Sequence, residues 1–513
     1  MSGSATPVDP VERHPFAPDA SFDGGDLDCG GGLLLLIRRR IDPLASGGLL
    51  EIRSTEPTVE IELPAWCRMT GNELVSWTKA GDHRSYLVSK GPLAERTEAP
   101  PATPPTAGAN RLVVEVAIPD SLPEPAPAPT IEPLSVMGIG SWPRPRWMLQ
   151  AMHDHLEGRL NDDAFHETAD DAVRLALEAQ RRAGVDVVTD GEQRRDNYAS
   201  FVGGLLDNCQ LIPLSDLTAM VDDPDEFHRE LRALDVPAED VRHPVVHGPL
   251  GRSHPLAAHE LAFVRSCADT PAKVALPGPY LLTRTMWLDC LRERPYKTRD
   301  DLAVDAVRVL REELHALLAG GAALVQFDEP VLTEVVYGEA GAKRSFMCGA
   351  LSEKLAPERE LAFAAELLRE VVRGLPAERL GLHVCRGNWT PDESAALSGD
   401  YRPLLGFLSD APVGTLFLEF CTPRAGEMEL LRDLPDDKRL AVGVVNPKDP
   451  GVESVEAIRE RIACAVGLLG EERVLLAPDC GFATFADNPV ASSRTAEAKL
   501  AAIVEARNSL RSA

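Results

Sequence analysis

The chain has 513 residues, with 80 acidic against 53 basic side chains, a net charge of −27, and 44% hydrophobic and 26% charged content. That length exceeds one ordinary domain, and the composition lets each domain bury a core. The negative balance disfavours nucleic acid and anionic membranes as partners, because phosphates would be repelled, and no apolar run approaches the ~20 residues of a membrane span.

Residues 1–20 lack a charged start followed by an apolar core, so they read as a disordered lead-in and not as a signal peptide. Ten cysteines spread along the chain without framework spacing read as reduced thiols of a cytoplasmic protein. Residues 21–90 suggest the order strand, Cys29, helix, strand, helix and two strands, a small two-layer α/β domain. On "DLDCGGG" and "LPAWCRMTGNEL" this region resembles the TusA-type sulfurtransferase domain, whose reactive cysteine stands between the first strand and first helix, where Cys29 is. The resemblance implies a sulfur carrier. A cysteine at a helix N-terminus gains thiolate character and can hold a persulfide. Where that family has Cys-Pro-x-Pro, this sequence has "CGGG", with Cys29 kept and glycines in place of the prolines. Cys67, beside Trp66 on the second helix, reads as core.

Residues 91–133 contain "EAPPATPPTAG" and "PDSLPEPAPAPTIEP", too proline-dense for a packed core, and read as an interdomain linker with an apolar interlude at 111–118. A flexible linker of that length spans ~35 Å.

From 134 to 513 one pattern repeats. Short apolar, β-branched runs end in polar residues and are followed by amphipathic helices: 134–142, 185–192, 273–280, 322–330, 379–387, 415–423, 439–447 and 473–482. Helical spacing is clearest over 170–184 and 301–321. Eight strand–helix units predict a (β/α)8 TIM-type barrel, in which side chains at the strands' C-terminal ends form the active site. A doubly wound open sheet is the alternative. The segment 200–260 is too long for a simple crossover and predicts an inserted helical or loop excursion.

Within "GLHVCRGNW", His383 and Cys385 alternate about Val384, so a strand would point both to one face. Imidazole and thiolate suit zinc, yet buried cysteines and strand-end histidines are common and the pair alone says little. Glu419 and Cys480 end the sixth and eighth strands and would converge on the pair in a barrel; Cys421, on the face of Glu419, is a competing ligand.

The motifs "GIGSWPRP", "TDGEQRR", "QFDEP", "LHVCRGNW", "LEFCTPRAGEMELLRDLP", "GVVNP" and "PDCGF" then make 134–513 resemble the catalytic barrel of cobalamin-independent methionine synthase and its relatives, including epoxyalkane:coenzyme M transferase. The resemblance implies Zn2+ on His383, Cys385, Glu419 and Cys480. It also implies a thiol substrate held by Ser141, with Glu192 and Asp328 as catalytic carboxylates that accept from an ammonium or orient other groups. Such soft ligands suit a zinc that keeps a thiol ionised for attack on an electrophilic carbon, a folate methyl in one relative and an epoxide in the other. Two departures weigh against folate: Asn446 stands where the methionine synthase has a histidine, and the sequence holds no counterpart of that enzyme's N-terminal half. Arg144, Arg194, Arg195, Arg386 and Arg424 crowd the strand-end loops. Arg144 and Arg386, with Asn446, are candidates for binding substrate, although each arginine alone reads more readily as an ion pair. Tyr198, Tyr280 and Lys448 are candidate proton donors for a leaving group.

Joined, these readings give a zinc-dependent transferase that forms C–S bonds. Persulfide on Cys29, charged by a donor such as a cysteine desulfurase, would feed the barrel, and the small-molecule partners are a thiol or persulfide and an electrophile. The alternatives are methyl transfer to homocysteine and a non-catalytic sulfur relay.

Overall fold

The computed structural model describes residues 11, 14–24, 33–81, 83–93, 116–156, 159–213, 242–287, 295–337, 356–388, 390–393, 396–486 and 488–511. They fall into two compact units, residues 11–93 in the smaller and nearly all those from Val116 on in the larger. No helix among them is long and apolar enough to cross a membrane. Seven of their cysteines are free thiols.

The smaller unit follows the element order read from its sequence: β1 (Ala20–Asp23), α1 (Leu34–Ile41), β2 (Leu49–Ser54), α2 (Val59–Thr70), β3 (Glu73–Ala80) and β4 (His83–Ser89). The strands form a mixed sheet in the order β1-β2-β4-β3, with β1 parallel to β2 and the other pairs antiparallel. Helix-spaced Leu33, Ile37 and Ile41 and helix-spaced Val59, Leu63, Trp66 and Cys67 pack on alternate-residue Leu50, Ile52, Tyr86 and Val88, a two-layer core that includes Cys67 as expected. Cys29 lies outside the described residues.

The larger unit is a (β/α)8 TIM-type barrel. Six strands form a parallel ladder: β7 (Lys273–Pro277), β8 (Leu324–Asp328), β9 (Leu380–Val384), β10 (Thr415–Glu419), β11 (Arg439–Val445) and β12 (Val474–Pro478). The first two expected strands are present only as short bridging segments, Val136 with Leu476, Met137 with Val187, and Val188 with Ala272, and these close the ring. Loops at 138–145 and 189–199 follow them at once. The described part of segment 200–260 begins with a 3-10 turn (Ser200–Gly204) and contains β5 (Asp207–Pro213) paired with β6 (Arg242–Gly251), a strand pair in addition to the helix or loop that was expected.

Helices α3 (Arg146–Leu156), α4 (Asp162–Ala183), α5 (Ala258–Cys267), α6 (Pro279–Met286), α7 (Arg299–Ala319), α8 (Val331–Tyr337), α9 (Pro357–Val372), α10 (Leu405–Asp410), α11 (Val455–Leu469) and α12 (Ser493–Arg511) complete the unit. The helix α7 begins at a Thr298–Asp301 capping box, which satisfies two of its free N–H groups.

Residues 116–133 are not free linker, as their composition suggested. Their extended backbone leaves carbonyls available, and Arg379 donates to Ala126 O (2.6 Å) while His315 bonds Pro123 O (2.9 Å). Ile131 joins the core beside Ala323, Leu324 and Leu475, at the strands' N-terminal ends.

Candidate metal centre

The ladder register decides what meets at the barrel's C-terminal end. Asp328 of β8, His383 of β9 and Phe417 of β10 are register partners, so all three side chains project from one face. His383 Nδ1 is 2.8 Å from Asp328 Oδ1, which also accepts from Gln326 Nε2 at 2.7 Å. That bond takes Nδ1 and leaves Nε2, buried with no hydrogen-bond partner. Ligand atoms of His383, Cys385 and Cys480 all lie within 4.8 Å of one another, and all three residues are buried. Tyr401 secures the strand ends by donating to Val384 O (2.8 Å) and accepting from Glu419 N (3.1 Å), and Thr333 bonds Cys385 O at 2.8 Å.

The charge in the cluster already favours ionised sulfur. The Cys480 thiol bonds to Cys385 sulfur and, with His383 beside it, holds Cys385 well below the ordinary thiol range, while Cys480 is raised as donor. Burial pulls His383 down, but Cys385 and Asp328 outweigh it and carry the imidazole to about 10. An orphaned imidazole nitrogen aimed at two sulfurs is the donor set of a soft divalent cation such as zinc. The histidine–carboxylate bond behind it is the usual support of such a ligand.

Glu419, the fourth expected ligand, stands beside this group of three but is engaged elsewhere. It accepts from Arg386 Nη1 (3.1 Å), Asn388 Nδ2 (2.8 Å) and Arg424 Nη2 (3.4 Å). Cys421 is outside the cluster: its sulfur is directed to Glu453 and its N–H to Asp479.

One cavity adjoins the three donors, lined by Ile139, Ser141, Glu192, Tyr198, Asp328, Pro330, His383, Cys385, Asn388, Cys480, Gly481 and Thr484. Glu192 is 3% exposed, and its Oε2 is buried with no hydrogen-bond partner. Burial, with Asp328 and Asp190 nearby, pushes its carboxyl to about 7 despite Arg195. Its backbone is left-handed, with φ 54°, a conformation a glutamate rarely adopts. A Cβ on Gly140 would collide with Glu192 Oε1, so glycine there lets the carboxylate in. Ser141 Oγ accepts from Ala483 N at 3.3 Å, and Gly481 leaves it room.

Of the two roles expected for Asp328, an ammonium contact or the orienting of another group, its bond to His383 is of the second kind. The arginines expected to clamp an anion are committed within the protein. Arg144 donates to the carbonyls of Ala483, Glu192 and Arg195, tying three loops together. Arg386 reaches Gly399 O, Ala425 O and Glu419, and stacks 4.0 Å over Tyr401. Arg194 pairs with Asp170, Arg195 with Glu260 and Arg424 with Glu393. Asn446 donates to Glu393 at 2.6 Å and does not line the cavity. Of the candidate proton donors, Tyr280 bonds Glu360 (2.7 Å) and Lys448 bonds Asp392 O (2.9 Å), while Tyr198 lines the cavity. Sequence reasoning passed over Asn388, which orients Glu419, and Asp479, which holds Phe420 N and Cys421 N at 3.0 Å each. Their positions within "CRGNW" and "PDCGF", beside expected ligands, were the only signal available.

The family model described as "Cobalamin-independent synthase, Catalytic domain" matches residues 134–354 and 397–506. A methionine synthase of Saccharolobus solfataricus is 24% identical over 368 residues, 72% of this chain and 92% of that protein. Another, of Sulfurisphaera tokodaii, is 25% identical over 67% of this chain and 84% of its own length. Among solved structures, the B12-independent methionine synthase of Shewanella sp. W3-18-1, in complex with selenomethionine, superposes with a TM-score of 0.55. It is 22% identical and aligns over 74% of this chain and 98% of its own.

Proposed function

The chain belongs to the cobalamin-independent synthase catalytic-domain family, and from that premise we propose that it transfers an alkyl group to the sulfur of a small amino-thiol, methyl transfer to homocysteine being the reading the site supports best. The observation that carries this is one cavity with a buried His–Cys–Cys donor cluster on one side and an unpartnered, buried carboxylate oxygen on the other.

His383, Cys385 and Cys480 would hold zinc, with Glu419 the fourth and weakest donor because Arg386 and Asn388 already draw on its charge. Zinc there would lower a thiol's pKa and keep it nucleophilic at neutral pH. Glu192 would take the substrate's ammonium, whose charge stabilises the ionised carboxylate. Ser141 would fix the substrate backbone beside the 481–483 turn. In the transfer an S–C bond forms, the bond from carbon to its leaving atom breaks, and that atom needs a proton; Tyr198 is the candidate donor on the cavity wall. Arg144, Arg386 and Asn446 would position loops without touching substrate.

Two further points favour this reading. The Saccharolobus relative, named a methionine synthase, is matched over 92% of its own length, so the aligned segment spans nearly all of that protein. The Shewanella relative is bound to selenomethionine, an amino acid of the class this cavity would suit.

Purified, zinc-loaded protein should form methionine from homocysteine and a methyl-folate, read by mass spectrometry. Absence of methionine, with thioether formed instead from coenzyme M and a small epoxide, would move the assignment to the epoxide-opening branch. Delivery of sulfur by a Cys29 persulfide remains a separate proposal, resting on the TusA-like pattern of residues 21–90 and a linker from 91. Cys29→Ser should abolish turnover that depends on a persulfide donor, and unchanged turnover would remove the idea. The expected cytoplasmic setting fits small-molecule partners of this kind.

A further inference from the structure

Barrel interiors are filled by aliphatic side chains, yet here Lys273, 1% exposed, lies inside the ring. A buried ammonium is costly unless its three donors are satisfied and its charge is balanced. Its Nζ donates to Ile139 O and to Gln326 Oε1, and it lies 4.5 Å over the Phe417 ring. None of these partners is charged. Burial pulls the Lys273 ammonium down to about 7, and the carboxylates that oppose this are Asp328 and Glu192, both on the wall of the cavity. The counter-charge of the core lysine is thus at the site and not in the core.

Gln326 makes the connection directional. Its amide oxygen is taken by Lys273, so its NH2 must point the other way, and it does, to Asp328 Oδ1 at 2.7 Å. The same oxygen meets His383 Nδ1 at 2.8 Å. With Lys273 and Gln326 both donating along this line, Asp328 is held as an acceptor, and Nδ1 must carry the proton that bridges them. We propose that Lys273 and Gln326 are positioning residues of the metal centre: they act through Asp328 to fix the tautomer and ring orientation of His383, so that Nε2 is presented to the metal. This rests on the zinc reading of the cluster.

The alternative is that Lys273 merely fills the barrel, which would affect melting temperature but not metal binding. The test is zinc affinity, by competition with a chromogenic chelator, together with the absorption spectrum of the cobalt-substituted protein. The variants are Lys273→Met and Gln326→Leu, in the full chain. Wild type is expected to bind one zinc per chain, and both variants to bind it about tenfold or more weakly, with a shifted cobalt spectrum. Zinc affinity and cobalt spectrum unchanged in both would overturn the relay while leaving the metal site standing. A wild type without stoichiometric zinc would overturn both. Should the variants not fold, 15N-histidine NMR of zinc-loaded wild type decides. His383 with Nδ1 protonated and Nε2 on the metal supports the proposal, and Nδ1 on the metal overturns it.

Discussion

Glu192 combines three unfavourable features: full burial, an unpartnered oxygen and a left-handed backbone. Such a combination persists where a ligand supplies the missing partner. Its carboxyl is raised from the ordinary 4.5 to about 7, so the neutral form is the one folding favours. Its contribution to stability is complete below its unfolded value and is lost as pH rises through about 7. Glu192→Gln should therefore flatten the fall in melting midpoint between pH 5 and 8 relative to wild type. It should also raise KM for an amino-thiol about tenfold or more, the cost of a charge-assisted hydrogen bond, yet leave KM for a thiol lacking the ammonium nearly unchanged. Equal effects on both thiols would remove the ammonium role. The donor residues separate in the same way. Cys480→Ser should lose stoichiometric zinc by elemental analysis, whereas Glu419→Gln, whose partners already share its oxygens, should retain it with about tenfold weaker affinity.

At the scale of elements, the site is a consequence of register. Parallel pairing sets Asp328 against His383, and period-two alternation carries Gln326 and Asp328 to one face of β8. The loop ends are then held by groups far away in sequence: Tyr401 on β9 and β10, and Arg144 on the three loops around Glu192. Glycines make close approach possible at two of these joints. At Gly140 a methyl group would push against Glu192, so Gly140→Ala should reduce kcat/KM about tenfold or more while zinc content stays at wild-type level, since no donor to the metal touches it. Loss of zinc in that variant would mean that the first strand-end loop supports the metal as well. Thr298→Ala, which removes the cap of α7, is a control from the same unit. It should cost about 1 kcal/mol of stability and leave both metal and activity intact.

At the scale of the molecule, each unit has its own core. That of the smaller runs from Phe22 to Val88, and residues 116–133 are bonded into the barrel unit through Ala126 and Pro123. A chain of residues 113–513 is expected to fold and to bind one zinc, measured by circular dichroism and elemental analysis; an insoluble or metal-free product would show that the barrel needs the N-terminal residues. The same truncation tests what the smaller unit adds. Turnover with homocysteine should survive its removal, and only turnover that depends on a persulfide should be lost.

The amino-acid pattern alone was enough for the eight apolar runs, the two-layer order of residues 21–90, and the convergence of His383, Cys385 and Cys480. Those features are local: strand periodicity, and polar residues at strand ends that any closed barrel brings together. Family motifs also singled out Glu192 and Ser141, but the pattern left the partners of the buried polar groups open. Arg144 and Arg386 bond carbonyls and Glu419, Asp328 faces a histidine 55 positions away, and Lys273 reaches Gln326 53 positions away. Which donor meets which acceptor is set by strand register and loop path, and a charged side chain reads the same in sequence whether its partner is a substrate or a neighbouring strand. Only the folded barrel, where every buried polar group must be satisfied within a few ångströms, decides between them.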